Sequence, residues 1–223
     1  RNRDQIFRPE FFAMGFASRI QVTRSLDSMG ASRSAWLYDA SISKGFRLDW
    51  GDDLLAGATL QRQIASTGNP LHRMGGTIRY FAPQTTRYSL YAAISGDRLG
   101  DGAAAPDQLL LGGDNGLRGY PLRYQSGDRR AIFTIEERAY TDWYLFRLVR
   151  VGGAVFYDRG RAWGGVNQNI VNGGWLSDVG AGLRLALDRA AFGNVLHADV
   201  AVPLERVPGI KAVQFIVKTQ VSF

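Results

Sequence analysis

Three charged positions stand out by their surroundings. Arg118 sits at the centre of LLLGGDNGLRGYPLRYQSGDRR, residues 109–130, the most unusual stretch of the longest connector. Gly112, Gly113, Gly116 and Gly119 open backbone angles closed to other residues, and Pro121 fixes the next turn, so this loop is expected to have a definite shape. Glu136 lies just after it in Glu136-Glu137-Arg138, and Asp158 lies in Phe156-Tyr157-Asp158-Arg159-Gly160. Two carboxylates could serve as a glycosidase acid and base. They could instead share a cation, since two close carboxylates cannot both stay ionised cheaply without one. A guanidinium offers a fork of donors suited to that task, and Arg118 is the expected partner. An ion-pair cluster is the favoured reading of the two.

The elements that must position these residues are strands. Apolar and polar residues alternate with period two in 36–46, 86–95, 178–187, 195–204 and 213–223, and further strands are expected at 11–22, 53–64, 72–82, 131–141 and 147–159. With Phe133 and Ile135 on one face, Glu136 and Arg138 fall on the other. With Val155 and Tyr157 outward, Asp158 points inward. Glu137 has the outward parity and is the weaker partner for Arg118. His197 and Asp199 share one strand face and read as a lumen-facing polar pair. Connectors alternate between short (49–52, 83–86, 141–146, 188–193) and long (23–35, 65–71, 96–130, 160–176, 205–212). That asymmetry suits an antiparallel meander inserted in a membrane, with aromatic residues near strand ends at the headgroup boundary. A soluble antiparallel β-protein shares the alternation but has no reason to separate its connectors in this way.

Composition narrows the classes. The 223 residues are 45% apolar and 21% charged, an ordinary globular balance that excludes wholesale disorder. No apolar stretch reaches the roughly 18 residues of a helical span. With no Cys and two isolated His, disulfide scaffolds, thiol catalysis and Cys-ligated zinc are excluded, and no metal or other cofactor is expected. There is no G-x-S-x-G, P-loop or H-E-x-x-H, so no enzymatic activity is expected. The +7 charge could suit nucleic acid. Its basic residues (Arg1, Arg3, Arg8, Arg129, Arg130, Arg147, Arg150) are dispersed and lack a stacking platform, so nucleic acid is not expected; contact with anionic headgroups or phosphorylated outer-leaflet lipid is. At about 9–11 residues per membrane strand plus connectors, the chain has room for about ten strands.

Leu117-Arg118-Gly119-Tyr120 resembles the V/I/L-R-G-F/Y motif of the outer-membrane assembly and two-partner-secretion barrels, the BamA, TamA and FhaC superfamily. Phe156-Tyr157-Asp158-Arg159-Gly160 is similar to that family's F-x-D-x-G motif. Phe223, after alternating Phe215, Val217, Thr219 and Val221, resembles the C-terminal strand signature of bacterial outer-membrane proteins. The resemblance implies an all-β, transmembrane antiparallel β-barrel in the bacterial outer membrane, with 109–130 folded back into the lumen. It implies that Arg118 contacts Asp158 and Glu136. Family barrels have sixteen strands, so residues 1–223 are expected to be the C-terminal part of one. The opening RNRDQIFRPE has neither an initiator Met nor the apolar core of a signal peptide. The chain is therefore expected to start after processing or inside a longer protein; in the family that it resembles, POTRA domains precede most barrels and a patatin-like passenger precedes some. Implied partners are outer-membrane lipids, including lipopolysaccharide, and client polypeptides that the barrel assembles, inserts or translocates. The alternatives are a passive porin-like channel and a membrane anchor for an upstream patatin-like lipase.

Overall fold

The structure is a computed structural model describing residues 6, 12–68, 70–100, 108–165, 173–187, 195–205 and 209–220. It is all-β. One antiparallel sheet holds ten strands in meander order: β1 (Phe16–Ser25), β2 (Ala35–Arg47), β3 (Asp53–Ala65), β4 (Leu71–Pro83), β5 (Tyr88–Leu99), β8 (Arg129–Leu145), β9 (Val149–Trp163), β10 (Leu176–Leu187), β11 (Val195–Pro203) and β12 (Gln214–Gln220). Between β5 and β8 the chain makes a small hairpin of its own from β6 (Leu109–Leu111) and β7 (Gln125–Gly127), around a short 3-10 turn at Gly113–Asn115. No helix among the described residues is long and apolar enough to cross a membrane, which says nothing of crossing by strands.

All ten expected strands form, with shifted ends. The first runs from Phe16 to Ser25, so the sheet uses Thr23 and Arg24, which the sequence pattern assigned to a loop. Arg129 and Arg130, expected at the end of the inward loop, are the first residues of β8, paired with Arg98 and Asp97. β8 carries an irregularity between Tyr140 and Tyr144, where its register against β9 shifts. β12 is described to Gln220, and Phe223 lies outside the described residues, as do Arg1, Arg3 and Arg8.

The ten strands form one antiparallel sheet and do not close into a barrel by themselves. The sheet is open: β1 pairs with β2, β12 pairs with β11, and no ladder joins β1 to β12. Closure requires that last pairing, and these ten strands do not make it.

The two faces differ in chemistry because side chains alternate across a strand. The 109–127 loop packs on one of them. That covered face presents Arg19, Gln21, Asp39, Thr59 and Gln61 on β1–β3 and then the buried charges Glu136, Asp158 and Asp199 further along. The bare face presents large apolar side chains to the surroundings: Ile20 is 81% exposed, Ile94 52%, Val155 58% and Val217 70%. Aromatic rings concentrate near strand ends, with Trp36 and Trp175 at the long-connector end and Trp50, Trp143, Phe146 and Tyr88 at the other. The dry core sits under the loop, where Leu111, Leu117 and Tyr120 meet Ala162 and Leu176, with Ile132 against them.

Candidate functional site: a loop locked to the sheet wall

The loop reaches the wall through backbone shapes that only glycine takes without strain. Gly116 has φ 121°, and a Cβ there would stand 2.6 Å from Ile132 Cδ1 of β8. Gly112 has φ 118°, and a Cβ there would stand 2.3 Å from the Pro121 carbonyl. These turns press Leu117 and Tyr120 into the dry core and turn Arg118 toward the wall.

Arg118 is 4% exposed and uses all three guanidinium nitrogens. Nε donates to Asp158 Oδ2 at 2.7 Å and Nη2 to Asp158 Oδ1 at 3.0 Å, a bidentate grip. Nη1 donates to Glu136 Oε2 at 2.9 Å and to Asp199 Oδ2 at 3.3 Å. Its guanidinium carbon lies 3.2 Å from the ring centroid of Phe156, so the cation rests on an aromatic face while its edge feeds carboxylates. Burial works against the charge on Arg118. The hydrogen bond and field of Asp158, with Glu136 and Asp199 behind it, outweigh burial and hold the guanidinium above its ordinary pKa.

The strands add two further cations. Arg138 Nε donates to Glu136 Oε1 at 2.9 Å, and Arg184 Nη2 donates to Glu136 Oε2 at 3.1 Å. Arg184 Nη1 donates to Asp199 Oδ1 at 2.5 Å. The result is a buried network of three arginines and three carboxylates drawn from the loop, β8, β9, β10 and β11. Removing one member leaves a buried charge uncompensated, at a typical cost of about 3–5 kcal/mol.

Each position of the two motifs has a physical role here. Phe156 supplies the platform for Arg118, and Asp158 supplies the paired oxygens. Gly160 leaves room for the loop hairpin, because a Cβ there would lie 3.0 Å from the Ala131 carbonyl and 3.3 Å from Leu111 Cδ1. In the loop, Leu117 anchors the core. Gly119 sits so tightly on β10 that a Cβ would stand 2.5 Å from Asp178 Cβ. The Tyr120 phenol donates to Glu205 Oε2 at 2.8 Å and accepts from the Glu205 N–H at 3.3 Å. Burial, then Glu205, pushes the Tyr120 phenol above its ordinary pKa.

The structure brings Arg118, Asp158 and Glu136 together as expected. Glu137 stays on the bare face, where it accepts from Gln84 Nε2 at 3.3 Å. Arg184 and Asp199 belong to the same network, which sequence reasoning missed. Strand parity already put both on the polar side; what it lacked was their height relative to Arg118, set by the pairing of Arg184 with His197 and of Gly182 with Asp199. Gly180 and Gly182 were also missed. A Cβ at Gly180 would lie 2.3 Å from Phe156 Cζ, so that glycine makes the space for the platform ring. Neither a scan of family models nor a search of curated proteins finds a match to this chain.

Proposed function

We propose that this chain is the C-terminal part of a transmembrane barrel of the BamA-type superfamily, which assembles, inserts or translocates polypeptides at the bacterial outer membrane. One observation carries this reading: the arginine of an L-R-G-Y loop grips the aspartate of an F-Y-D-R-G strand and the glutamate of the strand before it. That is the contact the resemblance implies. The two-faced sheet supports it. An apolar bare face fringed with aromatic rings suits hydrocarbon, and a polar opposite face suits a wet lumen. The edges of β1 and β12 support it as well, because unpaired strand edges in hydrocarbon need partner strands.

In this reading the network is a lock and not a catalyst. The carboxylates of Glu136 and Asp158 are engaged by guanidinium groups, so neither is poised to act as an acid or a base. The lock holds the 109–127 loop on the wall, across the space through which a client strand would pass.

The test is replacement of the full-length gene by an Arg118→Ala version in its own host. The readout is the folded fraction of other outer-membrane barrels, measured by heat-modifiable migration. A fall in folded clients supports the proposal. Normal folding of the variant together with normal client levels rejects it. Solute-selective conductance of the purified protein, with client levels indifferent to its deletion, points to the porin alternative. A lipase domain encoded upstream with unchanged client levels points to the anchor.

A further inference from the structure

Across the bare face runs a trough made by small side chains. Ala58, Gly76, Gly96 and Ala131 lie side by side on β3, β4, β5 and β8, each the register partner of the next. Four adjacent strands at about 4.8 Å spacing give a channel roughly 15 Å long. Its walls are the flanking rungs: Ile78, Ile94 and Phe133 on one side, Leu60 and Met74 on the other. Apolar clefts of about 620 Å³ and about 430 Å³ open along it and share Gly76, Gly96 and Ala131.

The trough ends in positive charge. Ala131 pairs with Arg161 of β9, and beside them Arg98 pairs with Arg129, which pairs in turn with Trp163. Arg98, Arg129 and Trp163 line the smaller cleft. Two arginines directly opposite on one sheet face repel each other. On the covered face of the neighbouring rung the same two strands place Asp97 against Arg130 at 2.6 Å, so there the charges are complementary. Among the described residues that line the smaller cleft the one carboxylate is Asp97, which Arg130 engages at 2.6 Å, and Asp128 stands 3.7 Å from Arg129. Arg161 Nε is enclosed and has no hydrogen-bond acceptor among the described residues. Among the described residues the corner is thus short of an anion at the mouth of an apolar channel. It lies at the long-connector end of the strands, with Trp163 and Trp175 6.5 Å apart beside it.

We infer that this face binds one phosphorylated acyl lipid, its phosphate held by Arg98, Arg129 and Arg161 and one acyl chain lying along Ala58, Gly76, Gly96 and Ala131. The inference rests on the membrane reading above and assigns a site to the lipid partner. A phosphate answers the charge that the sheet leaves unpaired. The small residues let a chain lie below the level of its neighbours, where it meets wall atoms on both sides.

The test uses the full-length protein, recovered from membranes and folded in detergent, titrated with bisphosphorylated lipid A, with the dephosphorylated lipid and with inorganic phosphate. The double variant Arg98→Gln/Arg129→Gln is expected to bind bisphosphorylated lipid A at least about tenfold more weakly, since a charged hydrogen bond is worth about that factor. Arg62→Gln, on the same face of β3, removes one positive charge outside the corner and should leave affinity unchanged. Gly76→Leu/Gly96→Leu fills the trough without altering charge. A Cβ at either glycine meets nothing closer than 3.7 Å, so this variant is compatible with the fold. It should weaken lipid A binding and leave the response to inorganic phosphate as it was. Unchanged lipid A affinity in either double variant overturns the site. So does inorganic phosphate binding as tightly as the lipid, or an equal loss in Arg62→Gln. Recovery of the wild-type protein from the soluble fraction overturns the membrane reading itself, and the site with it.

Discussion

Asp199 occupies the place where a side chain at position 182 would stand. The two residues are register partners on β10 and β11, and a Cβ built on Gly182 would lie 1.9 Å from Asp199 Oδ1. The carboxylate can lean over β10 to reach Arg184 and Arg118 because its partner has no side chain. Gly182→Ala is therefore expected to push Asp199 off both arginines and to destabilise the fold by about 1–3 kcal/mol through overpacking. Urea unfolding in detergent measures it. Gly153→Ala is the control on the neighbouring strand, where an added Cβ would meet only the Gly182 carbonyl at 3.6 Å, and it should cost little.

Replacements of Arg118 separate charge from geometry. Lysine keeps the charge but cannot grip both oxygens of Asp158 while reaching Glu136. Arg118→Lys should keep part of the stability that Arg118→Ala loses, a loss of about 3–5 kcal/mol. Adding Asp158→Asn to Arg118→Ala removes a carboxylate left without its partner, so the double variant should unfold at higher urea than Arg118→Ala alone. A double variant no more stable than the single one would show that Asp158 is compensated from elsewhere.

Gly119→Ala acts on the loop and spares the sheet. The added methyl meets Asp178 Cβ at 2.5 Å and the Pro203 nitrogen at 3.0 Å, both on the wall, so the loop cannot seat. Limited trypsin digestion is expected to cut at Arg118 or Arg123 in the variant and to spare both in the wild type, with the strands intact in each. Equal resistance at these sites in both proteins would mean that the seat tolerates the methyl.

Tyr120 carries a pH dependence with a definite sign. Its phenol has a raised pKa in the folded protein because burial and Glu205 disfavour the phenolate. Unfolded chain takes up the ordinary value of 10.0. The stabilisation is therefore fully present below pH 10 and is lost as pH rises from there toward the higher folded value. Loop protection should hold to pH 10 and then fall. In Tyr120→Phe the fall should be smaller, since no phenol remains to ionise. Protease protection between pH 8 and 11 follows both.

Much of the site was legible in the chain because its members obey strand parity. Glu136, Arg138, Asp158 and Asp199 all have the parity opposite to Phe133, Val155 and Val200, and parity depends only on the alternation of a strand. The loop announced itself through glycines and a proline around one arginine. The hairpin of Leu109–Leu111 and Gln125–Gly127 did not, because three-residue strands leave no period to read.

The sequence by itself determined an all-β chain of ten long strands, the separation of apolar from polar faces, and the three residues Arg118, Glu136 and Asp158 as one group. These follow from local pattern and from two short motifs. Only the tertiary structure decided which rungs align. Alignment joins Arg184 and Asp199 to Arg118, makes Gly180 and Gly182 into space for Phe156 and Asp199, and lines up Ala58, Gly76, Gly96 and Ala131 into a trough ending at Arg161. It also decided that these strands form an open sheet. Register and closure come from pairing between distant segments, and no single strand carries that information in its own residues.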